Sequence, residues 1–238
     1  MLRSAQRGFS LTELMIGSAL GLFVITGALQ LYAANVRAAA DTLRVSRLNQ
    51  EMRAVLQLLG DELQRAGYWA GEPGIDPHAG NPFQSATNDI RIDRFTGEAA
   101  ASCLLYAYDL NGDQRVGVGP GGLPGPHEST ANLEQFGVRL RAGRLQLRTG
   151  GRTFACAVGS WQALTEPDTE VTVLRFTLQQ RCLNLHADGG PCTSGDPALL
   201  RRRVTIALAG RSRADPGIRL RLETEVLIAN DRVTASLP

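Results

Sequence analysis

The chain contains no lysine; all 25 of its cationic Lys/Arg side chains are arginine, a bias that genomic base composition explains without any ligand. Histidine is nearly as scarce. The three present, His78, His127 and His186, are scattered through loop-like stretches. No G-x-S-x-G elbow, H-E-x-x-H pair or P-loop spacing occurs, so the common hydrolase, metalloprotease and nucleotide-binding sites are not expected and the chain reads as a non-enzyme. Net basicity is missing as well. From Gly67 onward 18 arginines face 18 acidic residues, whereas a domain that grips phosphates is usually basic, so direct nucleic-acid binding is not expected. Proline is absent between Phe9 and Gly71, which leaves that stretch free to form one unbroken helix. Charge is absent between Leu14 and Val36, a run of 23 residues. As a helix that run is about 34 Å long, enough to cross a bilayer core.

What is present at the start of the run is a carboxylate. In "RGFSLTELMIGSALGLF" Glu13 stands beside the apolar stretch, where an unpaired acid deep in lipid would cost about 2.5–3.5 kcal/mol. A secretory signal places small residues after its apolar region and loses that region. Here a short basic leader, Met1 to Gly8 with Arg3 and Arg7, comes first, and Gly8 marks the boundary. Cleavage between Gly8 and Phe9 would create an α-amino group four residues before Glu13, on the same helix face, as its cation. The stretch "RGFSLTELM" resembles the prepilin-peptidase site of type IV pilins and pseudopilins. That resemblance implies cleavage after Gly8, N-methylation of Phe9 and an assembly role for Glu13 as the family's glutamate at the fifth mature position. A second stretch, "ELQRAGYWAG" from Glu62 to Gly71, resembles the corresponding segment of PilW-type minor pilins. The resemblance covers Arg7 to about Phe83, and beyond that extends only to a general β-rich character. The proline found in the membrane half of major pilins is missing here.

The helix continues past the membrane. Leu48, Met52, Val55, Leu56, Leu59, Leu63 and Ala66 recur three and four apart and form one apolar stripe, and Gly67 is a suitable stop. Gly17 and Gly21 stand at GxxxG spacing, which allows close helix approach in lipid but is also common in any membrane helix. The Pro- and Gly-rich "GEPGIDPHAGNPF" reads as loop. Alternating residues then mark strands at Ile90/Ile92, Cys103/Leu105/Ala107, Val138/Leu140, Leu145/Leu147, Val171/Val173/Leu178, Val204/Ile206/Leu208 and Ile218/Leu220/Leu222, with hairpins at "RAGR" and "AGRSRADPG". The expected fold is α+β and pilin-like: a leader (1–8), a long helix (9–67, membrane or fibre core to 36 and amphipathic from 37), and one antiparallel β-rich domain (68–238).

Four cysteines fit two disulfides in an oxidising compartment and allow three pairings. Turn residues between Cys182 and Cys192 favour that short loop, leaving Cys103 with Cys156. A zinc site at Cys182, His186 and Cys192 lacks a nearby fourth ligand. In "DLNGDQR", Asp109, Asn111 and Asp113 hold positions one, three and five of an EF-hand-like calcium loop, but Gln114 and Pro120 stand where glycine and glutamate belong. A tight Asn-Gly turn explains the stretch more simply, so no cofactor is expected beyond that weak calcium candidate. Arg201, Arg202, Arg203, Arg211, Arg213, Arg219 and Arg221 face only Asp215 within their span. Arg201, Arg203, Arg219 and Arg221 are therefore expected to share an outward face, either solvated or covered by an acidic partner.

The arginines flanking the apolar run, Arg37, Arg44 and Arg47 against Arg3 and Arg7, taken alone favour the reverse orientation. Leader order and cysteines instead place the N-terminus in the cytoplasm and the domain in the periplasm, then at the cell surface. By the resemblance, the expected partners are the prepilin peptidase, the inner-membrane assembly platform, other minor pilins and the major pilin. The expected role is in type IV pilus assembly. The alternatives are a type II secretion pseudopilin and a membrane-anchored binding module that never polymerises.

Overall fold

A computed structural model describes residues 8, 10–70, 80–85, 87–117, 134–151, 153–186 and 190–237. Arg3, Arg7, Phe9, His78, Pro120, His127 and most of the loop after Gly71 lie outside them. The chain divides into two compact units, Met1–Ser46 and Arg47–Pro238.

One helix, α1 (Leu11–Arg65), contributes to both. Its residues in the first unit are almost all exposed, as expected of a segment whose partner is lipid or another helix. The hydroxyls there turn back on the helix. Ser18 Oγ donates to the Met15 carbonyl at 3.0 Å and Thr26 Oγ1 to that of Leu22 at 2.8 Å, which satisfies both of these hydroxyl hydrogens in an apolar surrounding. In the second unit α1 buries the stripe read from the sequence: Leu48, Met52, Val55, Leu59 and Leu63 are buried, and Ala66 follows just past the helix end. Gly67, at φ +75°, ends the run in the left-handed region.

The first sheet contains β1 (Arg91–Asp93), β2 (Cys103–Ala107), β3 (Gln135–Arg141), β4 (Arg144–Gly150) and β5 (Ser160–Ala163), in that spatial order and antiparallel throughout. The second contains β6 (Thr169–Asn184), β7 (Ala198–Ser212) and β8 (Arg219–Leu227), with β9 (Arg232–Thr234) beside the start of β7. The "RAGR" hairpin forms as expected, with Arg141 opposite Arg144. Ala142 and Gly143 both take positive φ, 50° and 71°, the tight turn that suits strand twist. β5 and β9 were not expected, and the β6–β7 ribbon is far longer than the alternation of a few residues suggested.

The stripe of α1 meets Leu104, Tyr106, Val138 and Leu140 of the first sheet and Leu174, Phe176, Val204, Ile206 and Leu208 of the second in one core. Every residue of β2 is buried because its other face is covered too. Cys103 and Leu105 pack with Cys156, Phe154 and Trp161. The Cys103–Cys156 disulfide, with Cα atoms 6.2 Å apart, pins that cover, and Arg139 lies 4.1 Å over the Trp161 ring and 4.7 Å over Phe95.

Candidate functional site

At the start of α1, Ser10 Oγ accepts the Glu13 N–H at 3.2 Å and Glu13 Oε2 accepts the Ser10 N–H at 3.0 Å. This is a reciprocal capping box, a helix-capping role for Glu13 that needs no external cation. Ser10 was overlooked, although S-x-x-E is visible in "SLTE". Gly8 is exposed, while Phe9, on which N-methylation would fall, lies outside the described residues.

The described residues of the "ELQRAGYWAG" stretch, Glu62 to Ala70, form the joint between α1 and the sheets. Glu62 Oε2 accepts the Tyr108 hydroxyl at 2.9 Å, and Arg65 lies 3.6 Å from Glu62 Oε1. Burial, reinforced by the bond to Glu62, pushes the Tyr108 phenol up to about 12. Gly67 donates its N–H to the Ala107 carbonyl at 2.8 Å, and a Cβ there would stand 2.5 Å from Gln84 Nε2 and 3.1 Å from Arg202 Nη2. Arg202, one of the seven arginines of the span but not one of the four expected to face outward, is fully buried. Its place in the alternation Leu200, Arg202, Val204 was the available signal. It contacts Asp89, as does Arg232 at 2.8 Å, and donates to the Asn230 carbonyl at 2.8 Å. Desolvation lowers its pKa, opposed by the charge of Asp89.

The "DLNGDQR" loop folds around its own carboxylates. Asp109, buried, accepts the amides of Gly112, Gln114 and Ala70 at 2.7, 3.0 and 3.2 Å, and Asn111 and Asp113 bond one another. Gln114, at the position where a calcium loop has glycine, itself takes φ +69°. Glu134, distant in sequence and not anticipated, accepts the amides of Leu110 and Gly117 at 3.0 Å each. Burial raises its pKa against those bonds. Asp109, Asp113 and Glu134 each bring an oxygen within 4.8 Å of the others, a donor set of the hard kind that calcium takes.

The expected four-arginine patch does not form. Arg201, Arg203, Arg219 and Arg221 do share the outward face, but β7 pairs Arg203 with Leu227 and Arg211 with Arg219. Arg221 stands opposite Ala209, so six residues of strand, about 20 Å, part even the nearest members of the two pairs. Acids from elsewhere in the chain reach the first pair, Glu225 at 2.6 Å from Arg203 and Asp231 at 3.5 Å from Arg201, and Glu170 lies 2.9 Å from the neighbouring Arg211. Cys182 and Cys192 form a disulfide, with Cα atoms 6.4 Å apart, which removes both as thiolate ligands, and His186 instead stands 3.6 Å from Asp196.

Comparison with protein families covers both units. The model for prepilin peptidase-dependent protein B matches residues 41–228. The chain belongs to that family. The prokaryotic N-terminal methylation motif matches residues 3–29, which include Gly8, Ser10 and Glu13. No curated protein and no solved structure matches. Membership in the prepilin peptidase-dependent protein B family, together with the methylation motif, makes the chain a pilin-like subunit of the minor pilin or pseudopilin kind. Its apolar helix serves as membrane anchor for the C-terminal domain.

Proposed function

We propose that the chain is a non-enzymatic PilW-like minor pilin, acting with other minor pilins in the complex that primes a type IV pilus and stays near its tip. The observation that carries this reading is Glu13, held in a capping box at the head of an uncharged run whose helix continues into the core of a β-rich domain. A subunit that must leave the bilayer for a fibre needs such a carboxylate to meet a neighbour's N-terminus; a simple anchor does not. The N-terminus lies in the cytoplasm and the domain in the periplasm until assembly carries it to the surface. Its partners are the peptidase, the assembly platform, the other minor pilins and the major pilin.

The test is deletion of the gene with complementation. Loss of fibres recovered by shearing, with protein secretion intact, supports the pilus reading. Loss of secretion with fibres intact means a type II secretion pseudopilin. If neither changes, the chain is an anchored binding module.

A further inference from the structure

β8 is a long strand edge left open along its whole length among the described residues. β7 lies on one side of it and no strand lies on the other. On the opposite edge of that sheet only the first half of β6 is covered, where Val171 N–H donates to the Gly143 carbonyl and Phe176 N–H to that of Ala101. β1 and β5 span three and four residues; β8 spans nine, with no proline, no bulge and only Leu220, Leu222, Thr224 and Val226 turned inward. Proteins keep an edge from pairing by shortening it, bulging it, placing proline or charge on it, or covering it. β8 is neither short, bulged nor broken by proline, and its charges are of both signs in a fixed order, which selects a partner as well as excluding others.

The ladder shows which groups are free. Ser212 N–H donates to the Ile218 carbonyl and Ile228 N–H to the Arg202 carbonyl, each at 3.0 Å. Even-numbered residues of β8 therefore bond to β7, and the amides and carbonyls of Arg219, Arg221, Glu223, Glu225 and Leu227 point to the open side. Along that side runs a groove of mixed character, lined by Arg53, Leu56, Gly60 and Asp61 of α1 and by Leu222 and Val226. The exposed side chains above it are ordered by charge: two arginines, then two glutamates.

We propose that this edge docks an extended segment of a different protein, which adds to the sheet as an antiparallel strand. Its residues opposite Arg219 and Arg221 are acidic, those opposite Glu223 and Glu225 are basic, and the residues between them turn into the groove beside Leu56 and Gly60. Read from its own N-terminus, the segment runs basic, basic, acidic, acidic at alternate positions. Side chains directly opposite one another come within about 5 Å, so a slip of two residues sets like charges face to face.

β8 itself carries the matching order, with Leu222 at the centre of a self-pair. The direction of α1 argues against a second copy. Met52 lies under Gly210, which stands opposite Leu220; Gly60 lies beside Val226; and the Gln64 carbonyl accepts the Ala229 N–H. The helix thus runs alongside β8 in the same direction. A two-fold pair would have its two chains enter from opposite ends, against the common polarity that anchoring in one membrane imposes.

The test uses the full-length protein in detergent micelles and a synthetic peptide, Arg-Val-Arg-Val-Glu-Val-Glu. It should bind about tenfold more tightly than all-Arg or all-Glu versions, the effect of cross-strand charge pairs summing to about 1.4 kcal/mol. Glu223→Pro, which removes an N–H that β7 does not use, should abolish binding with the thermal midpoint nearly unchanged. Arg219→Glu with Arg221→Glu, both exposed, should shift the preference to the all-Arg peptide. Equal binding of all three peptides by the wild type, or full binding by a folded Glu223→Pro protein, would overturn the proposal. So would a disulfide forming in membranes between Arg221→Cys and Glu223→Cys copies of this chain, which would identify the occupant as a second copy.

Discussion

Asp89 stands between two guanidinium groups, one of them fully buried, and removing its charge strands both. Asp89→Asn should therefore cost about 3 kcal/mol in thermal or denaturant unfolding, the range seen when one partner of a buried pair is deleted. Arg202→Met should cost clearly less, because Asp89 keeps Arg232 and an apolar chain fills the site. Equal losses would mean that packing, not charge, holds this joint. Asp196 supplies a pH dependence. It accepts the Thr193 N–H and hydroxyl, each at 2.8 Å, and these bonds hold its carboxyl below the usual aspartate range. With the folded value below the unfolded one, the stabilisation is present above about pH 4 and is lost as pH falls through the folded value. In acid the loop between β6 and β7 should loosen, measured as a fall in the protection of the Thr193 amide, its exchange rate taken relative to the intrinsic rate at each pH. Unchanged protection down to pH 2 would remove Asp196 as the clasp.

At the scale of elements, the tight turn between β3 and β4 stores a small strain, since Ala142 has φ +50° without being glycine. Ala142→Gly should stabilise the domain by about 0.5–1 kcal/mol, seen as a higher thermal midpoint, because the left-handed region costs an L-residue about that much or more. The elements whose patterns were strong were readable in advance. The α1 stripe, its stop at Gly67, the "RAGR" hairpin and the alternation in β7 and β8 all follow from periods of 3.6 and 2. What escaped notice had no period to read. β5 and β9 are three or four residues long and owe their pairing to neighbours distant in sequence. Glu134 reached the Asp109 loop from a separate segment. Arg202 was legible from its alternation with Leu200 and Val204, yet three consecutive arginines read as a charged surface. The four-arginine patch failed because an outward face follows from parity, whereas position along a 15-residue strand depends on register.

For the whole molecule, the question is whether Glu13 serves only the helix or also a neighbour. Its bonds to Ser10 cap α1, and glutamine at that position caps as well, because a side-chain amide oxygen still accepts the Ser10 N–H. A cation from an N-terminus, by contrast, needs the carboxylate. Glu13→Gln thus separates the two roles inside one side chain, and Glu13→Ala removes both. Both variants should still be cut, giving an intact mass for a chain that starts at Phe9, while Gly8→Val should leave the longer form. If charge matters for assembly, Glu13→Gln should lose incorporation into sheared fibres as fully as Glu13→Ala does. If Glu13→Gln enters fibres at the wild-type level while Glu13→Ala does not, helix capping is the whole of its contribution.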